Sequence, residues 1–332
     1  MNAFQAFLLE QGTDRQVQGR MVDFDPDQLD AGEVLIRVAY SSINYKDALA
    51  ATGKGKIIRR FPCIGGIDLS GVVSASSDAR FQPGDAVLAT SFDIGVSHHG
   101  GYAQYARIPA DWVIPLPAGL GLQESMALGT AGFTAALAIT RMEQNGLTPG
   151  KGPVLVTGAT GGVGSLATNM LAQCGYTVTA LTGKEEETDY LKKLGASEIL
   201  LRQSIEFDQA KFLESARWAG AVDNTGGQIL AWLLASMQQA GTVASVGNAA
   251  SFHLNTTVFP FILRGVSLLG IDSGYMGNPL RTQVWQRLGS ELKPQSLGSM
   301  TKTIDFAQLP AAFSAFIEGK VKGRIVVQIG ED

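Results

Sequence analysis

The pattern of apolar and polar positions changes character once along the chain. Up to about residue 120, apolar runs are short and alternate with polar positions. Residues 34–40 (VLIRVAY), 69–75 (LSGVVSA), 86–90 (AVLAT), 102–108 and 112–115 read as strands, parted by turns such as Pro83-Gly84-Asp85. These elements predict a compact β-rich domain. Residues 123–145 then have long helical potential, closed by Thr148-Pro149-Gly150. Beyond them strands and helices alternate. Strands are predicted at 154–157, 177–181, 199–201, 218–223, 242–247 and 266–271. Helices are predicted at 162–174, 185–194 and 227–239, ending at Gly175, Gly195 and Gly241. Wholly apolar strands joined by glycine-ended helices predict a parallel doubly wound sheet. The last stretch, 304–329, holds a helix (309–319) and a strand (324–329), expected to return to the first domain.

The strand at 154–157 runs into Gly158-Ala159-Thr160-Gly161-Gly162-Val163-Gly164, and a helix follows. Glycines there allow a tight turn and a close approach of backbone to a pyrophosphate. The helix N-terminus adds free N–H groups and a partial positive charge. The spacing is not the strict G-x-G-x-x-G, yet its strand–loop–helix setting predicts a dinucleotide site. Acceptance of a ribose 2′-hydroxyl calls for a carboxylate at the end of the second strand. Here that strand ends Ala180-Leu181-Thr182-Gly183-Lys184, and Arg202 follows the third strand. Cations without a carboxylate suit a 2′-phosphate, so the expected cofactor is NADPH.

Composition narrows the picture further. The 332 residues suffice for two domains, and 17% are charged, against about 25% in an average soluble domain, so a charge-dominated disordered chain is excluded. The 40 glycines show no triplet period and belong to turns and close approaches. A net charge of −4 disfavours a nucleic-acid partner. No apolar run is long enough to span a bilayer, and the first residues lack a signal peptide's pattern. Two cysteines, Cys63 and Cys174, fit a reducing, cytoplasmic setting.

Longer motifs carry a resemblance. Ser41-Ser42-Ile43-Asn44-Tyr45-Lys46-Asp47-Ala48, Thr52-Gly53-Lys54-Gly55, Phe61-Pro62, Gly66-Ile67-Asp68 and residues 129–135 (GTAGFTA) are among them. Residues 260–266 (PFILRGV) and Gly270-Ile271-Asp272-Ser273 complete the set. The chain resembles the medium-chain dehydrogenase/reductases. Within them it is similar to a zinc-free, quinone oxidoreductase-like branch that includes NADPH-dependent acrylyl-CoA reductases. The resemblance implies a GroES-like β-rich catalytic domain (1–124 and 273–332) and a Rossmann NADPH-binding domain (125–272). Asn44 and Ile67 stand where zinc relatives carry a cysteine and a histidine ligand, so no metal is expected. His253 is read as structural or solvated. Gly65 and Val96 depart from the branch's usual proline and glutamate.

The resemblance also implies site residues. Tyr45 lies near the nicotinamide half. Thr160, Gly161, Gly162 and Val163 cradle the pyrophosphate. Thr182, Gly183, Lys184 and Arg202 hold the 2′-phosphate end, and Asn248, Ile262 and Ser273 line the path to the nicotinamide. The expected reaction is hydride transfer from NADPH to the activated C=C of a short 2-enoyl-CoA. Charge then develops on the carbonyl oxygen and a proton reaches the α-carbon. Asn44 and Tyr45 are the candidate catalytic donors; their other reading is a helix cap and a packing residue. Asp68 reads either as catalytic or as a buried structural carboxylate. Lys54, Lys56, Arg59 and Arg60 form a basic loop for CoA or cofactor phosphates, or a solvated loop. A quinone or enone reductase, and a non-catalytic nucleotide-binding protein, remain open beside the enoyl-CoA reading. The strand at 266–271, near a sheet edge, predicts a homodimer.

Overall fold

The computed structural model describes residues 1–207 and 211–331. In chain order the first elements are β1 (Phe4–Gln11), β2 (Val17–Phe24), β3 (Val34–Ile43), α1 (Tyr45–Ala51), β4 (Cys63–Ile64), β5 (Asp68–Ser76), β6 (Ala86–Thr90), β7 (Tyr105–Ile108) and β8 (Val113–Pro115). Next come α2 (Leu122–Gln144), β9 (Val154–Thr157), α3 (Gly162–Gln173), β10 (Val178–Thr182), α4 (Thr188–Lys193), β11 (Glu198–Leu201), β12 (Trp218–Asp223), α5 (Gly227–Ala235) and β13 (Met237–Ser245). The remainder is α6 (Phe259–Arg264), β14 (Ser267–Gly270), α7 (Asn278–Leu288), α8 (Leu297–Met300), β15 (Thr301–Asp305), α9 (Leu309–Ile317) and β16 (Arg324–Gln328). The chain divides into two compact units. The first holds Met1–Thr130, Gly274–Trp285 and Leu297–Asp332; the second holds Ala131–Ser273 and Gln286–Ser296.

In the first unit β3 is the spine. It pairs antiparallel with β5, β7 and β16, within a sheet ordered β15-β16-β3-β5-β6-β8 with β7 on β3. Along β3 burial alternates from Val34 to Arg37, then every residue from Val38 to Ile43 is buried. The polar members of that run are satisfied. Ser41 Oγ donates to the Asp68 carbonyl (2.6 Å) and Ser42 Oγ to the Asp68 carboxylate (2.6 Å). A three-stranded sheet, β2-β1-β4, adds Phe7, Leu9 and Ile64 to the same core as Ile36, Val38, Leu69 and Val327. β1 and β2 precede the first strand predicted from the pattern. The middle of β1, Ala6 to Leu9, is a continuous apolar run, and such a run does not declare its period.

In the second unit six parallel strands stand in the order β11-β10-β9-β12-β13-β14. This is the 3-2-1-4-5-6 order of a doubly wound dinucleotide-binding sheet, with its switch point between β9 and β12. β9, β10 and β12 are buried throughout, as covering on both faces requires.

Two expectations need correction. The helix predicted at 227–239 stops at Ala235, and Gly241 lies inside β13. The reason is partly local and partly a residue far along the chain. Ser236 Oγ donates to the carbonyls of Trp232 and Leu233, while the Arg264 guanidinium takes those of Ala235 and Met237. Those bonds close the helix, and Met237 pairs at once with Trp218. The long helix α2 is broken at Gly129, whose φ is +51°. A Cβ there would meet Asp68 Oδ2 at 2.5 Å and Arg324 Nη2 at 2.8 Å, so a buried polar cluster dictates the break.

His99 shows how burial sets a proton's place. Its Nδ1 accepts the Ile64 N–H (3.0 Å), and its ring packs edge-on against Phe24. Burial holds its pKa down at about 4, with the nearby Asp30 charge opposing that shift. The unfolded chain therefore gains a proton near pH 6.5 that the folded one refuses until about pH 4. Stability contributed above pH 6.5 is lost as pH falls through that window. The variant His99→Gln, which can still accept from Ile64, should lose less stability than the wild type between pH 7 and 4. The expected difference, on the order of 2 kcal/mol, is read by urea unfolding at each pH.

Candidate functional site

The second unit gathers its candidate residues at the carboxyl ends of β9, β10 and β12. Gly158 takes a left-handed φ of +57° where β9 turns into α3. Gly164 lets α3 pack down on the loop: a Cβ would collide with the Gly158 carbonyl oxygen and stand 2.8 Å from Ala159 Cα. Gly161 is the N-cap of α3 and supplies no side-chain cap, so the first-turn N–H groups keep their capacity for an anion. Thr160 is buried, whereas Gly161 is exposed and Gly162 and Val163 half-exposed on this turn.

At the end of β10, Thr182 is buried and its Oγ1 accepts the Lys184 backbone N–H (3.0 Å). The Arg202 guanidinium lies against Gly183, where a Cβ would be 3.4 Å from Arg202 Cζ. Two residues far apart in sequence thus build one cationic ledge, with Lys184 next along the chain. A cavity of about 880 Å³ opens beside Arg202, lined also by Gln228, Trp232, Ser251, His253 and Thr257. The other candidates are more peripheral. Asn248 is exposed on the loop after β13, and Ile262 on α6 is 68% exposed. Ser273 Oγ accepts from Thr134 Oγ1 at 2.7 Å.

The sequence reading passed over a buried clamp here. Asp223, at the end of β12, accepts from Thr157 Oγ1 (2.7 Å), Thr225 Oγ1 (2.8 Å) and the Gly226 N–H (2.8 Å). It ties the strand that enters the glycine loop to the loop after β12. The available clue was a polar pair, Asp223-Asn224, closing an apolar strand ahead of Gly226-Gly227.

In the first unit Asn44 is the N-cap of α1, its backbone N–H donating to Asp47 at 2.8 Å. Its side chain is fully engaged. Nδ2 donates to Asp68 Oδ2 (2.7 Å), and Oδ1 accepts from Arg324 Nη1 (3.1 Å). Asp68 also takes the backbone N–H and hydroxyl of Thr130. Arg324, 2% exposed, reaches the carbonyls of Ala127 and Ile43 and the Ser42 hydroxyl. Burial, reinforced by the Asp68 charge, pushes the Asp47 carboxyl up to about 7, against the Asn44 and Ile67 N–H groups that favour its anion. Tyr45, next along α1, is 57% exposed. In the basic loop, Arg60 chelates Asp30 (2.5 and 2.6 Å) and Arg59 reaches Asp93 at 3.6 Å. Two of its four cations are therefore already matched by carboxylates.

This architecture and glycine loop define a two-unit dehydrogenase. The description "Alcohol dehydrogenase GroES-like domain" fits residues 30–118, and "Zinc-binding dehydrogenase" fits residues 162–290. The acrylyl-CoA reductase AcuI of Ruegeria pomeroyi is 47% identical over 91% of each chain. YhfP of Bacillus subtilis, whose name places it provisionally among quinone oxidoreductases, is 48% identical over 98% of this chain and 99% of its own. The crystal structure of YhfP, with NAD bound, has a TM-score of 0.96 and 47% identity, covering 99% of this chain and all of that one (100%). The yhdH oxidoreductase of Salmonella enterica in complex with NADP has a TM-score of 0.95 and 46% identity, covering 98% and 100%. The chain belongs to the medium-chain dehydrogenase/reductase family, in the branch of the acrylyl-CoA reductases and quinone oxidoreductase-like enzymes. Its residues do not fit the zinc of the wider family. Ile67 offers no donor atom, and the Asp68 oxygens are taken by Ser42, Asn44 and Thr130. Among the described residues no group of three or more His, Cys, Asp or Glu is placed to hold a metal ion.

Proposed function

We propose that the enzyme uses NADPH to reduce the activated C=C of a short 2-enoyl-CoA, above all acryloyl-CoA to propanoyl-CoA. One structural observation supports the cofactor half. The end of β10 carries no carboxylate, and Arg202 is laid against Gly183 beside Lys184. That ledge suits a 2′-phosphate. NADP in the Salmonella structure agrees with it, whereas the Bacillus protein was crystallised with NAD. The substrate half rests on the likeness to AcuI. The provisional name of YhfP keeps a quinone or enone reductase as the second reading.

NADPH, when bound, supplies a hydride to the substrate's β-carbon. The first turn of α3 with Thr160, Gly161, Gly162 and Val163 would hold the pyrophosphate, and Thr182, Gly183, Lys184 and Arg202 the 2′-phosphate end. Asn248, Ile262 and Ser273 are assigned to the nicotinamide side. Tyr45 presents a largely exposed phenol that can donate to a developing enolate oxygen. The Asn44 amide spends its groups on Asp68 and Arg324, so we assign it to positioning the start of α1 and with it Tyr45.

The test is NADPH oxidation followed at 340 nm with acryloyl-CoA, crotonyl-CoA and a benzoquinone in parallel. The highest kcat/KM is expected with acryloyl-CoA; a preference for the quinone would favour the second reading. We further propose a homodimer. β14 is an outer strand of its sheet, and Phe259 and Leu263 nearby in sequence are exposed. Light scattering should give about twice the 35.1 kDa chain mass, and Leu263→Glu should shift the protein toward monomer.

A further inference from the structure

Asn224 occupies a position that its packing leaves half explained. It follows β12, one residue beyond the Asp223 clamp. The parallel register pairs Val222 with Val156, which brings Asn224 level with Gly158, the first residue of the glycine loop. A Cβ on Gly158 would stand 3.5 Å from Asn224 Cβ, so this side chain stands directly beside the turn. Its amide orientation is set by a hydrogen bond: Nδ2 donates to the Thr157 carbonyl at 2.7 Å. Its backbone N–H is fixed as well, on Thr157 Oγ1 at 2.9 Å. The remaining atom, Oδ1, is buried and has no hydrogen-bond partner among the described residues.

The neighbouring donors are spent. The Thr157 and Thr225 hydroxyls and the Gly226 N–H all go to Asp223. A buried amide oxygen without a donor is rare in folded proteins and is expected where a ligand supplies one. The place is the switch point of the sheet, outside the carboxyl ends of β9 and β12, where doubly wound sheets bind dinucleotides. At neutral pH the phosphates of a dinucleotide have no proton to give. Its ribose hydroxyls, on either side of the pyrophosphate, do.

We infer that Asn224 Oδ1 accepts a hydrogen bond from a ribose hydroxyl of the bound dinucleotide. This makes Asn224 a binding residue of the cofactor site, held in register by the Asp223–Thr157–Thr225 clamp. The inference rests on the dinucleotide-dependent reading above. It adds a contact to the side of the site that faces β12, which the glycine loop and the cationic ledge leave unassigned.

The test is a coupling experiment on binding, read by NADPH fluorescence titration and independent of turnover. Wild type and Asn224→Leu are titrated with NADPH and with NADPH analogues lacking one ribose hydroxyl at a time. Asn224→Leu should weaken NADPH binding about tenfold, the loss of one well-made hydrogen bond to a buried acceptor. One analogue should bind wild type more weakly by a similar factor and should lose little more in the variant. Which analogue does so identifies the ribose. Because Leu also removes the bond to Thr157, the melting temperature of each protein without cofactor is compared. A purely structural role would lower it while leaving every analogue's penalty the same in both proteins, and that outcome would overturn the inference. So would a Kd within twofold of wild type. Should the wild type not bind NADPH at all, the dinucleotide reading itself fails and the inference with it.

Discussion

Arg324→Met is expected to destabilise the first unit by about 3–5 kcal/mol, the range found when one partner of a buried charged cluster is removed. The guanidinium is 2% exposed and bonded to the Ala127 and Ile43 carbonyls, Asn44 Oδ1 and Ser42 Oγ. Burial draws its own pKa below the usual arginine value, while the charges of Asp68 and Asp47 oppose that change. Without it, two buried carboxylates share one site with no cation, and two backbone carbonyls lose their donor. Methionine fills much of the volume and returns none of the hydrogen bonds. The double variant Asp68→Asn with Arg324→Met should recover part of the loss, because one of the stranded charges is gone. Denaturant unfolding of the three proteins measures this. A loss below 1 kcal/mol for the single variant would show that the cluster's charges are not interdependent.

The second large effect concerns cofactor choice. Replacing Lys184 and Arg202 together with alanine should lower kcat/KM for NADPH about 100-fold, the scale of one or two charge-assisted hydrogen bonds to a phosphate. The value for NADH should stay within about twofold, since that cofactor carries no 2′-phosphate. The contrast matters because one similar structure holds NADP and another NAD. Parallel losses with both cofactors would mean that the ledge supports the fold or binds another part of the nucleotide. Comparable efficiency of the wild type with NADH and NADPH would contradict the assignment outright.

Local pattern revealed the second unit more fully than the first, for physical reasons. β9, β12 and the glycine loop are contiguous runs whose composition states their role: wholly buried strands and a turn only glycine can make. The end of α5 was misread because what closes that helix is Arg264, nearly 30 residues beyond it. Likewise, nothing near Gly129 announces that Asp68 and Arg324 will stand against it. The Asn44–Asp68–Arg324 cluster joins three distant segments, so only Asn44 and Asp68 were singled out, and Arg324 passed as the start of a strand. The pairing inside the basic loop was equally hidden: Asp30 and Asp93, which pair with Arg60 and Arg59, lie about 30 residues away on either side. Long-range polar pairing leaves no period in a sequence, whereas strand burial does.

The central claim is a hydride passed from a nicotinamide to the C=C of an enoyl thioester. Its most direct test uses NADPH deuterated at nicotinamide C4, each stereoisomer in turn, with acryloyl-CoA as substrate and mass spectrometry of the product. Propanoyl-CoA carrying one deuterium at its β-carbon is expected from one of the two isomers. Propanoyl-CoA left unlabelled by both isomers, or no propanoyl-CoA at all, would contradict it.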